Sequence, residues 1–154
     1  MPRYPVPSNE VTAGKTILPN GEYVFDIGNI TLFDRVREKD GANLWGFKAL
    51  ISVASGESNI GKSLGNMDFY MHTSGAAEMS KRFLMAAHGY EQNQASEALF
   101  NETFPDIGFD PDESDLPAHL ARLVGKQVAA AVTIGQNKMN PEEQQNKFRW
   151  LPVV

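Results

Sequence analysis

Residues 56–63 read GESNIGKS and match the pattern G-x-x-x-x-G-K-[ST] at every position. In a loop of that kind, backbone amides and the lysine cradle phosphate while the Ser/Thr hydroxyl holds magnesium. Lys62 and Ser63 would carry those roles here. The chemistry also requires that the loop open a helix whose first amides aim at the phosphates. Residues 64–72 are LGNMDFYMH, which alternate as a strand does, with Gly65 and Asn66 where the first helical turn should be. NKMN at 137–140 begins like the Asn-Lys-x-Asp guanine-reading motif, but Asn140 replaces the aspartate and only 14 residues lie beyond it. The repeated strand–helix alternation that builds a parallel sheet is also missing. GESNIGKS is therefore expected to be a glycine-rich turn between strands, and nucleotide binding is the least favoured reading.

Other reactive constellations are weaker. The chain has no cysteine, which removes disulfides, thiol catalysis and cysteine-ligated zinc and suits a reducing compartment. His72, His88 and His119 are scattered without a paired-ligand spacing. Asp110, Asp112, Glu113 and Asp115 lack the glycine turn and closing glutamate of an EF-hand loop, so a solvated acidic loop is the better reading. No G-x-S-x-G, no H-E-x-x-H and no carboxylate pair on a helix face occurs. The expectation is a non-enzyme with no catalytic residues, metal or cofactor.

The elements that would position a binding surface are mostly strands. The 154 residues fit one domain, are 42% hydrophobic and 21% charged, and contain no apolar run of membrane-spanning length. MPRYPVPSNE has no apolar stretch after its basic residue, so it reads as a flexible arm over 1–17 rather than a secretory signal. Tyr23, Phe25 and Ile27 alternate after the Pro19-Asn20-Gly21 turn in a first strand running to about Phe33. Asp40-Gly41 is a hairpin signal. A second strand over 44–54 places Trp45, Phe47, Ala49, Ile51 and Val53 on one face and Leu44, Lys48 and Ser52 on the other. Gly46 is expected to mark a bulge or bend. A third strand over 66–71 sets Met67, Phe69 and Met71 against Asp68 and Tyr70. Thr73 or Ser74 caps a helix to about His88, stopped by Gly89, with Met79, Phe83 and Ala86 as its apolar stripe and Lys81 and Arg82 facing water. An excursion over about 90–117 carries a short helix near 95–100 and the acidic stretch 102–115, and Pro117 opens another short helix. Strand four ends at Ile134, and a polar loop precedes a last strand over 147–153. The fold class expected is mainly β: a single domain over 18–154 forming a five-stranded barrel like the oligonucleotide-binding (OB) fold, with a helix between strands three and four.

Four fragments, LPNGEYVFDI, SGESNIGKSL, AEMSKRFLMAAHG and LARLVGKQVAAAV, occur in an order that resembles a family of phage OB-fold single-stranded DNA-binding proteins of replication and recombination modules. The resemblance spans most of residues 18–153. It implies a cytoplasmic, non-catalytic protein whose partner is single-stranded DNA, with replication or recombination proteins as further partners, no membrane association, and homo-oligomerisation left open. Proteins of this kind often end in an acidic tail, whereas this chain ends in RWLPVV and carries its acidic stretch internally. The alternative is a barrel that binds a host or phage protein through the acidic excursion.

Single-strand binders combine cations that track phosphates with aromatic rings that stack bases. Net charge is −5, but residues 102–115 hold six acidic and no basic residues, so the remainder is close to neutral and leaves room for a basic face. The candidates are Arg35, Arg37 and Lys39 in the loop after strand one, Lys48 and Tyr70 opposite the apolar stripes, and Lys62 in the glycine-rich turn. Lys138, Lys147 and Arg149 lie in or beside the last loop. Trp45, at the start of its strand, is added as a ring at the groove edge, although its parity is that of core packing.

Overall fold

The computed structural model describes residues 17–110, 115–136 and 144–153. Its elements in order are β1 (Gly21–Val36), β2 (Asn43–Ser55), β3 (Ser63–Tyr70), α1 (Ser74–Ala87), α2 (Gln94–Thr103), α3 (Ala118–Ala121), β4 (Gln127–Gln136) and β5 (Gln144–Leu151). All five strands form one antiparallel sheet in the order β3-β2-β1-β4-β5. Within it, β4-β1-β2-β3 is a Greek key: three hairpin-connected strands and a fourth that returns by a long connection to lie beside the first. The expected five strands and the helix between strands three and four are present.

The sheet is open, in contrast to the closed or nearly closed barrel expected from the sequence. Among the described residues β3 and β5 are edges with no ladder between them. Side chains fill the seam instead. Phe83 of α1 stacks on Phe69 of β3 at 4.1 Å and meets Trp150 of β5 edge-on at 4.9 Å. Gln92 Nε2 donates to the Trp150 carbonyl oxygen, occupying an acceptor on the β5 edge. The helix therefore seals the curled sheet by apolar burial, where a barrel would use hydrogen bonds.

The core lies between the inner face of the sheet and the helices. It contains Tyr23, Phe25, Ile27 and Ile30 of β1, Phe47, Ala49, Ile51 and Val53 of β2, and Phe83, Leu84 and Ala87 of α1. In β1 the inward parity changes part-way. Ile27 faces Ile51, but Ile30 faces Ala49, so three steps on β1 match two on β2. That is a β-bulge at Gly28-Asn29. Tyr23, Phe25 and Ile27 point inward before it, Ile30 and Leu32 after it. The strand also runs on through Val36, so Arg35 belongs to β1 and not to the following loop as expected.

Gly46 marks a close approach, and the β1–β2–β3 register runs through it without interruption. A Cβ there would overlap the Phe69 carbonyl oxygen, so only hydrogen fits between the twisted strands. Gly46→Ala should lower unfolding free energy by about 1–3 kcal/mol, the usual cost of overpacking against backbone. A urea titration showing no loss would contradict this placement.

GESNIGKS folds as the connection between β2 and β3. Gly61 and Lys62 donate their amides to the Val53 and Asn59 carbonyls, and the Val53 amide returns a bond to the Lys62 carbonyl. Asn59 and Gly61 take left-handed φ values of 60° and 84°, conformations that Asn and Gly tolerate best. A strand and not a helix follows the turn, as expected, although it starts at Ser63 and not at Asn66, and two of the amides a phosphate would need are spent inside the turn.

Thr73 Oγ1 accepts from the Ala76 amide and caps α1, and Gly89 follows its end at φ 89°. The buried stripe of α1 is Ser80, Phe83, Leu84 and Ala87 with Met85 and Ala86. Met79, expected in the stripe, is 71% exposed. A helix with alanines and methionines on more than one side fits several rotations, and the wedge position of Phe83 selects this one. Lys81 does not simply face water, because its Nζ pairs with Glu97 of α2 at 2.9 Å.

His88 and His119 tie the helices together through a 2.8 Å contact between His88 Nε2 and the His119 carbonyl oxygen. Burial lowers the pKa of both rings below the ordinary 6.5. Below that pH the unfolded chain takes up protons before the native state does, so stability falls on acidification, while above it the two rings add no pH dependence. Melting temperature should therefore decline between about pH 7 and pH 5.5, and His88→Gln with His119→Gln should flatten the decline. Equal slopes in wild type and double variant would show that these rings are not held neutral.

Candidate nucleic-acid interface

The bulge in β1 builds the outer face. Beyond it Thr31, Phe33 and Arg35 turn away from the core and align with β2 and β3 in rows. Thr31, Lys48 and Asp68 form one row, Phe33, Gly46 and Tyr70 the next, and Arg35 faces Leu44 in a third. Phe33 and Leu44 are 8% exposed yet stand apart from the core cluster. They pack on the opposite side of the sheet.

Gly46 shapes this surface by lacking a side chain. The rings of Phe33 and Tyr70, two strands apart, meet over it with centroids 5.5 Å apart and planes at 83°. Arg35 reaches across the same gap. Its Nη2 donates to the Tyr70 hydroxyl oxygen at 2.6 Å and to Asp68 Oδ2 at 3.1 Å. Its guanidinium lies 4.9 Å from the Phe33 ring centre and 5.7 Å from that of Tyr70, within cation–π range. The bond to Asp68, with that to Tyr70, raises the Arg35 pKa. His72 borders Tyr70 edge-on at 5.6 Å.

The β1–β2 loop continues the surface. Arg37 Nε donates to Asp40 Oδ1 at 2.9 Å, and the Ala42 amide donates to the same oxygen. The Arg37 bond, followed by that amide, pulls the Asp40 pKa down to about 2. The turn closes with Gly41 at φ 69° and the Arg37 amide on the Ala42 carbonyl, as the Asp-Gly signal anticipated. Lys39 stands exposed at its tip.

The structure thus brings together Arg35, Lys48 and Tyr70 on one face, with Arg37 and Lys39 beside it. Both arginines are engaged by carboxylates, which the sequence did not reveal. Trp45 sits on the opposite face of β2, edge-on to Phe109 of the acidic excursion at 5.3 Å. It is not part of this cluster, because its parity matches Phe47. Lys62 is exposed at the other end of β2, a strand of 13 residues and so roughly 40 Å long. Lys147 and Arg149 are exposed on β5, the edge opposite β3. Arg149 lines a groove of about 570 Å³ between α1, the start of α2 and β5. Lys138 lies outside the described residues. Phe33 was missed because unbroken alternation from Tyr23 would turn it inward; the Gly28-Asn29 pair was the available signal. Among the described residues no group of His, Asp or Glu could hold a metal, and no helix is long and apolar enough to cross a membrane.

No protein-family model matches the chain, and no curated protein matches it significantly.

Proposed function

We propose that the protein binds single-stranded DNA, without catalysis, on the outer face of β1, β2 and β3, as an OB-type domain serving phage replication or recombination. The observation that carries the reading is the half-exposed Tyr70 ring bonded to Arg35, with Lys48 in the adjoining row on the same face of β1, β2 and β3. That combination suits a strand whose bases stack while its phosphates meet positive charge. The strand order supports it, since an OB-fold is a partly open five-stranded Greek-key barrel that binds on its second and third strands and the adjoining loops. Arg37 and Lys39 lie in the first of those loops. The negative net charge is concentrated in residues 102–115.

Fluorescence anisotropy of labelled oligo-dT with the full chain tests the proposal. Binding should be measurable at low salt and should weaken linearly in log affinity against log salt concentration as counterions compete for the strand. Absence of binding by folded protein at low salt would reject it in favour of the protein-binding alternative.

A further inference from the structure

We infer that Asp68 gives this surface a base preference, favouring bases that present an exocyclic amino group, and so cytosine over thymine. The inference rests on the reading of the outer face as a single-strand-binding surface. Asp68 lies two residues before Tyr70 on the same face of β3, and its Oδ2 is 3.5 Å from the Tyr70 hydroxyl. A base stacked on the Tyr70 ring therefore has this carboxylate within reach of its edge.

Arg35 is the obvious reader by residue type, but its geometry points elsewhere. Arginine reads guanine, or grips phosphate, through a fork of two nitrogens. Both forks, Nη1 with Nη2 and Nε with Nη2, use the nitrogen that already donates to Asp68 and Tyr70. Arg35 is thereby held as a positioning residue, fixing the carboxylate and the phenol. Asp68 uses only Oδ2 in these bonds; among the described residues nothing donates to Oδ1, and the side chain is 32% exposed. A carboxylate is an acceptor only. It accepts from the N4 amino group of cytosine and opposes the O4 acceptor of thymine. The sugar-phosphate chain does not distinguish these two pyrimidines, and among the charged groups of this cluster Asp68 is the acceptor-only one that favours the amino group of cytosine.

The test compares oligo-dC with oligo-dT of equal length by anisotropy at neutral pH, for wild type, Asp68→Asn and Asp68→Ser. Wild type should bind oligo-dC about fivefold more tightly, the effect of a single additional hydrogen bond per contact. Asp68→Asn should bring the ratio close to one, because an amide both donates and accepts. Loss of the negative charge will tighten binding to both probes, but it cancels from the ratio because the probes carry equal charge. Asp68→Ser gives the same readout with a smaller side chain should the amide disturb folding. Binding with equal affinities in wild type overturns the preference and leaves the binding surface standing. A preference that survives both substitutions overturns the role of Asp68. No binding to either probe rejects the surface itself.

Discussion

Replacing Phe83 with alanine should lower the unfolding free energy by about 3–5 kcal/mol, the usual cost of emptying a buried aromatic site. In a chain of this size that corresponds to a fall of roughly 10 °C or more in melting temperature. The size of the effect follows from position. Phe83 is fully buried, stacks on Phe69, meets Trp150 edge-on and lies 6.2 Å from Phe47. It wedges between the two edges of an open sheet, where Phe69 and Trp150 also meet directly with ring centres 6.1 Å apart. Phe83→Leu should cost less, since it keeps apolar volume in the seam. Denaturant titration of both variants provides the check. A loss below about 1 kcal/mol for alanine would mean that the seam is held by something other than this ring.

The second large effect concerns the outer face. Tyr70→Ala should weaken oligo-dT binding by an amount on the order of 1–3 kcal/mol, the contribution of one stacked base, and leave the salt slope nearly unchanged because no charge is removed. Changing Arg35, Arg37 and Lys39 together to alanine should weaken binding and flatten the slope by at most about 2, three contacts at about 0.7 each. The change should fall short of that limit. Arg37 is paired with Asp40 and must leave it, or share it, to meet a phosphate, while Arg35, held on Asp68 and Tyr70 through Nη2, offers a phosphate at most a single-nitrogen contact. An exposed pair such as Arg37 with Asp40 is weak and screened by salt, so Arg37 can exchange partners. Affinity measured across a salt series for wild type and both variants separates the two roles. An unchanged slope in the triple variant would move the phosphate path away from this loop, and undiminished affinity in Tyr70→Ala would remove stacking from the site.

Much of the scaffold was legible because it depends on short-range patterns. Alternation marked the first three strands, and the flanking turn and polar loop bounded the last two. Thr73, Gly89 and Pro117 marked helix ends, since capping and proline geometry act within a turn of the chain. Gly65 and Asn66 argued against a helix after GESNIGKS, and the structure carries β3 through them. The helix stripe was harder to read. Met79 and Phe83 are both apolar and compatible with one face, and only the seam between β3 and β5 determines which of them is buried.

The site was less legible, for a physical reason that one strand makes plain. By residue type, and for Lys48 and Tyr70 also by their parity opposite the apolar stripes, the sequence marked Arg35, Lys48 and Tyr70 as suited to stacking and phosphate contact. It determined that Phe47, Phe69 and Trp45 share an inward parity, because alternation is a property of the strand itself. Whether Phe33 and Arg35 face the core or the solvent depended on a single extra residue at Gly28-Asn29, which inverts the parity of everything beyond it. A bulge is stabilised by what lies on both sides of the strand, here Ile51 and Ala49 on the neighbouring strand. The capture of Arg35 by Asp68 and Tyr70 joins residues 33 and 35 positions apart along the chain, and the meeting of Phe33 with Tyr70 over Gly46 spans a similar separation. Such contacts arise only when β1 and β3 are set on either side of β2, which is a property of the sheet and not of any segment within it.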